Sequence, residues 1–153
     1  LKGSAMNKYV LLGLAVFGLS ACSSDMVTEK ASHRMVIEQT QVALNSHLWI
    51  NMMPTIGEVQ DRALHGSLYL ESEQILPVDM DVKRVMIRQG EMDWTIDGEL
   101  LELRTHNQNK WEVAFIWQFE INPDYPVDVF LEIESSTQTA TLAERDVKVQ
   151  FVY

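Results

Sequence analysis

From position 47 to the end of the chain, large apolar side chains recur at every second residue. That spacing lines one face of an extended strand and would scatter them around a helix. The densest case is residues 111–121, WEVAFIWQFEI. Trp111, Val113, Phe115, Trp117, Phe119 and Ile121 share one side, while Glu112, Ala114, Ile116, Gln118 and Glu120 share the other, which predicts a central strand.

The same period recurs on either side. Leu48, Ile50 and Met52 alternate with Trp49, Asn51 and Met53 until Pro54 stops the run and Gly57 marks a turn. Leu64, Gly66, Leu68 and Leu70 alternate with His65, Ser67, Tyr69 and Glu71. Val85 and Ile87 lead to a Gln89-Gly90 turn, and Trp94 and Ile96 lead to Asp97-Gly98, which reads as a type I′ hairpin turn. Leu101 and Leu103 open a short strand that ends in the polar cluster Thr105-His106-Asn107-Gln108-Asn109. Beyond Pro123 and Pro126, Val127, Val129, Leu131 and Ile133 form another strand, followed by residues 137–142 and 147–153. Turn signals at intervals of roughly 8 to 12 residues, with no long amphipathic helix after position 46, predict an all-β fold: an antiparallel immunoglobulin-like β-sandwich of about eight strands. A lipocalin-like barrel ranks second, because its interior needs more polar lining than these strands provide.

The amino end obeys a different rule. After Met6 and Lys8, residues 9–21, YVLLGLAVFGLSA, are uncharged. Thirteen residues are too few for a membrane-spanning helix, which needs about 20, and they match the apolar core of an export signal. The run closes in Leu19-Ser20-Ala21-Cys22, which resembles the lipobox of bacterial lipoproteins. The resemblance covers the signal and the first mature residues only. It implies that the thiol of Cys22 receives a diacylglyceryl group, that the preceding peptide is removed, and that the new amino terminus is acylated. Several chains are what firm anchoring requires, since one alone binds reversibly. In such lipoproteins an aspartate directly after the cysteine tends to hold the product at the inner membrane; Ser23 stands there, which favours the outer membrane, facing the periplasm. Residues 1–5 precede Met6 and are set aside from the fold.

Three segments follow: a leader over 1–21, a lipid-anchored tether and lead-in over 22–46, and a β-sandwich over 47–153. In the lead-in, Met35, Ile37, Val42 and Leu44 suit either a short helix or an extended strand. Of 12 Lys plus Arg and 22 Asp plus Glu in the whole chain, the leader contains only Lys2 and Lys8, so the mature part carries 10 against 22, a net charge near −12. With no basic run longer than Lys83-Arg84, nucleic acid is excluded as a partner.

Candidate chemistry is sparse. His33, His47, His65 and His106 show no close ligand spacing, and Met52, Met53, Met80, Met86 and Met92, a thioether supply suited to copper(I), read as core filling. Asp79, Asp81, Glu71 and Glu73 lack a calcium-loop pattern and read as a solvated acidic surface, and the pair Glu99 and Glu102 is of the kind acidic surfaces form by chance. Ser46 and His47 face opposite sides of a strand; His65 and Ser67 share a side but lack a nucleophile elbow. No catalytic residue, metal ligand or cofactor is assigned. In HLWINMMP, residues 47–54, both faces are apolar. The expectation is that both are covered, one of them by the lead-in segment; if one is instead a partner-binding patch, it comprises Trp49, Met53 and Pro54. The sequence thus predicts a lipid-anchored envelope protein with a non-catalytic binding or assembly module that docks an envelope protein. A copper-handling protein using Met and His is the alternative, and a hydrolase the third reading.

Overall fold

The computed structural model describes residues 31–53, 62–118 and 120–153. They form an all-β sandwich. Its ten strands are β1 (Arg34–Ile37), β2 (Thr40–Asn51), β3 (Leu64–Glu71), β4 (Asp81–Gln89), β5 (Met92–Asp97), β6 (Glu102–Asn107), β7 (Lys110–Trp117), β8 (Val127–Glu134), β9 (Thr139–Val147) and β10 (Val149–Val152), with a single 3-10 turn, Gly98–Leu100, between β5 and β6.

One sheet has the order β1-β2-β3-β7-β6, with β10 added in parallel to the far half of β2; the other has the order β5-β4-β8-β9. The remaining strand pairs are antiparallel. Both sheets turn their alternating apolar faces inward, so that Leu44, Leu48, Leu68 and Val113 of one meet Val85, Ile87, Val129 and Leu131 of the other in a single core. Trp94 and Trp117, one from each sheet, have ring centroids 6.0 Å apart.

The sandwich begins earlier than position 47. β1 and the first half of β2 lie within the stretch read as lead-in, and Val42 and Leu44 are fully buried. The reason the alternation seemed to start late is Ser46, which occupies an inward position between Leu44 and Leu48 and breaks the apolar rhythm. β1 and β10 share one edge of β2, pairing with residues 40–43 and 48–51 respectively. Ser46 falls in the gap between them, and its backbone N–H is satisfied by Glu144 of the facing sheet, with Oε1 at 2.6 Å.

Asp97-Gly98 is not a hairpin turn, because β5 and β6 belong to different sheets. Asp97 is extended, at φ −71° and ψ 154°, and the chain passes through the 3-10 turn as it crosses over. Glycine is needed there for closeness: a Cβ at position 98 would lie 2.8 Å from the carbonyl oxygen of Lys83. The strand predicted over 111–121 ends at Trp117, and it lies second from the sheet edge, between β3 and β6. Ile121 is buried outside any strand, and Phe119 lies outside the described residues.

At one end of the sandwich two turns clamp each other. Glu38 and Gln39 link β1 to β2 with φ of 49° and 70°, the left-handed conformation that a two-residue type I′ turn demands of both central residues. Glu38 Oε1 accepts from the hydroxyls of Ser136 and Thr137, and Gln138 Nε2 donates to the carbonyl of Val36. Asp79 joins them, accepting from both the hydroxyl and the backbone N–H of Ser136, which hold its carboxyl down at about 2.

Candidate functional site

The outward face of the six-stranded sheet carries most of the chain's unusual side chains. Register places Trp49, His65 and Ile116 in one row across β2, β3 and β7, and His47, Ser67, Ala114 and Glu102 in the next. The third row is Asn45, Tyr69, Glu112 and Arg104. Three of the four histidines reach this face, since His106 of β6 bends toward Glu112 past the register shift between Thr105 and Asn107.

Glu112 is its centre. Its side chain is only 6% exposed, although it stands on the face away from the core. Ser67 donates its hydroxyl to Oε2 at 2.6 Å, His106 Nε2 lies 2.7 Å from Oε1, and Arg104 Nη1 lies 3.7 Å from Oε2. The Ser67 hydrogen bond, followed by those of His106 and the charge of Arg104, holds the carboxyl below its ordinary value against the opposing effect of burial. Arg104 is also tied to Glu102, at 2.9 Å.

Aromatic contacts extend the network. Trp49 stacks on His65 with centroids 5.5 Å apart and planes 13° from parallel. Tyr69 meets His47 edge-on at 5.5 Å and His106 at 6.0 Å, and Lys110 Nζ sits 4.5 Å above its ring. Between these taller groups the small residues Gly66, Ser67 and Ala114 floor an open groove of about 320 Å³. Its walls are Trp49 and His65 on one side and Leu100 and Arg104 on the other, with Ile116 at the end. A second depression, of about 480 Å³, lies between β1 and residues 71–74, but its lining has neither aromatic rings nor histidine.

The Glu112 network does not have the order of groups that a serine-hydrolase triad has. In a serine hydrolase the imidazole takes the hydroxyl proton and a carboxylate orients the imidazole. Here the carboxylate stands between Ser67 and His106, and the hydroxyl donates to an anion whose basicity is lowered. His65 and Ser67 do share a face, as their spacing predicts, and Ser46 and His47 point to opposite sides.

Of the residues that the sequence offers as a patch in the alternative to coverage, Trp49 lies on the groove, Met53 is about half exposed at the end of β2, and Pro54 is outside the described residues, as is Cys22. Among the described residues, the part of the lead-in that precedes β2 does not lie over Trp49; β1 pairs edge to edge with the opposite end of β2. Met80 is buried in the core and Met52 packs against it, whereas Met92 is exposed beside the β4–β5 turn. Asp81 pairs with Lys83 and Glu71 with Lys110, at separate places on the surface. Among the described residues no three His, Cys, Asp or Glu side chains converge as a metal site. Glu112, Arg104, Tyr69 and Lys110 were not legible as members of a site, although a charged residue inside the densest apolar alternation was a signal for Glu112.

Comparison of the chain with protein-family models, curated proteins and solved structures gave no match.

Proposed function

We propose that this chain is a lipid-anchored protein of the bacterial cell envelope, held at the periplasmic face of the outer membrane through Cys22, and that its sandwich is a non-catalytic module that docks an envelope protein by the outward face of the six-stranded sheet. The anchor rests on Leu19-Ser20-Ala21-Cys22 after an uncharged run. Among the described residues no helix is long and apolar enough to cross a membrane.

The groove carries the docking half of the reading. It joins exposed apolar groups, Leu100 and Ile116, to the stacked Trp49 and the paired cation Arg104 over a floor of small side chains. Few, fixed polar groups among apolar and aromatic walls are what recognition sites use. The locked Glu112 network supports rigidity of that face and leaves the carboxylate a poor base.

Two measurements test the two halves. Radiolabelled palmitate is expected to enter the native chain and not Cys22→Ser, with the variant leaving the membrane fraction; equal labelling of both defeats the anchor. A photoreactive residue at position 116 is expected to capture an envelope protein, while one at Val78, exposed on a loop, captures none, and Trp49→Ala is expected to abolish the adduct. Indistinguishable capture at both positions defeats the docking face.

A further inference from the structure

We propose that β6 is the edge along which two copies of this chain join, antiparallel and two-fold symmetric about Leu103. β6 ends the order of its sheet, is hydrogen-bonded to β7 on one side, and has all six of its residues exposed. An unpaired strand edge is a template for a further strand. The other end of that sheet consists of two four-residue strands, β1 and β10, side by side along β2, and neither has an acidic residue that could meet a basic one in pairing with itself. In the second sheet, the β9 edge receives residue 32: Ser32 bridges to Leu142, and the Ala143 N–H donates to its carbonyl at 2.9 Å.

Charge selects the occupant and the register. Antiparallel pairing of β6 with itself about Leu103 sets Glu102 opposite Arg104 of the second copy, and the reciprocal pair forms by symmetry. Pairing about Arg104 would set arginine against arginine, and pairing about Glu102 would set glutamate against glutamate. The open strand of the other sheet, β5, has Asp93 and Asp97 and no basic residue, so no register of it with itself brings opposite charges together. Both Glu102 and Arg104 are more than half exposed at the side chain and already lie within 2.9 Å of each other, so exchanging partners across the seam needs little rearrangement.

The seam also covers apolar surface. Leu103 pairs with the fully buried Val113 yet remains 46% exposed, and among the described residues no strand continues the sheet beyond it. In the proposed register it meets Leu103 of the second copy. The register shift between Thr105 and Asn107 bends β6 beyond Thr105, which limits the pairing to residues 101–105. A two-fold axis perpendicular to the sheet keeps both outward faces on one side, so the two grooves, each walled by Leu100 and Arg104, stand next to each other. The seam forms whatever the groove binds.

The test is the oligomeric state of the full chain in detergent, followed by sedimentation velocity with circular dichroism as the check on folding. The native chain is expected to show a concentration-dependent dimer. Glu102→Arg is expected to weaken it more than tenfold, and adding Arg104→Glu to that variant restores it. In a Cys22→Ser background, Leu103→Cys is expected to form a disulfide-linked dimer on mild oxidation, whereas Thr95→Cys on β5 does not. A native chain that stays monomeric, a dimer indifferent to Glu102→Arg, failure of the double reversal to restore it, or cross-linking from position 95 and not 103 would each overturn the proposal.

Discussion

The ring of Phe115 occupies the space where Gly66 has no side chain. Gly66 and Phe115 are opposite each other on β3 and β7, facing the core, and a Cβ at position 66 would fall 2.2 Å from Cζ of the ring. The glycine is therefore a seat for the phenylalanine. It also sits directly beneath the groove, whose lining includes both residues.

Gly66→Ala forces the ring out of its place in a packed interior, where overpacking costs about 1–3 kcal/mol. Urea unfolding is expected to show a loss of that size. Phe115→Leu, which shortens the side chain, is expected to lose stability by itself and to cost less in the Gly66→Ala background; strictly additive losses would show that the two residues do not share this space.

Ser67→Ala removes the hydroxyl that does most to hold the Glu112 carboxyl down, and a hydrogen bond to a charged group contributes about 2 kcal/mol. The folded carboxyl is lowered relative to its ordinary value of 4.5. Its stabilising contribution is accordingly complete above that ordinary value and disappears as pH falls through the lowered folded value. Thermal unfolding as a function of pH is expected to show Ser67→Ala less stable than the native chain at neutral pH, with the gap closing at the acid end. A gap that widens in acid would contradict the direction of the shift.

Gln39 adopts a left-handed conformation without being glycine. Relief of that strain is worth about 1–2 kcal/mol, and the extra freedom of glycine in the unfolded chain takes back about 0.5–1 kcal/mol. Gln39→Gly is thus expected to raise stability by about 0.5–1 kcal/mol, measured by chemical denaturation, whereas Gln39→Val is expected to lower it, since a β-branched residue is poorly suited to positive φ.

Ser46 Oγ is buried without a hydrogen-bond partner, the one such side-chain oxygen or nitrogen among the described residues. Its backbone N–H depends on Glu144 instead. Ser46→Ala removes an unsatisfied hydroxyl and is expected to leave the melting temperature unchanged or raise it, while Glu144→Ala exposes a stranded N–H and is expected to cost about 1–3 kcal/mol. A loss from Ser46→Ala as large as that from Glu144→Ala would show that the hydroxyl has a partner.

β3, β4, β7 and β8 were readable from local sequence because a pleat exposes its period in the side chains themselves: Leu64 to Leu70 and Val127 to Ile133 alternate in the sequence as they do in the sheet. Where that rhythm was broken the reading failed, as at Ser46, which concealed the first half of β2. Phe130 shows the converse. Its alternation places it outward, correctly, yet it is buried because the guanidinium groups of Arg88 and Arg145 stand 5.1 and 5.5 Å from its ring.

By itself the sequence determined the strands whose apolar alternation is unbroken, such as β3 and β8, with their inward sets, and the Leu19-Ser20-Ala21-Cys22 motif, since these depend on neighbours along the chain. Only the tertiary structure decided that Asp97-Gly98 changes sheets instead of turning back, and that Ser67, Arg104 and His106 surround Glu112. The physical reason is that a strand's period is a property of its own backbone, whereas its partner is selected by packing among segments far apart in sequence. A carboxylate printed between Trp111 and Val113 looks like any solvent-facing glutamate until β3 and β6 are laid beside it.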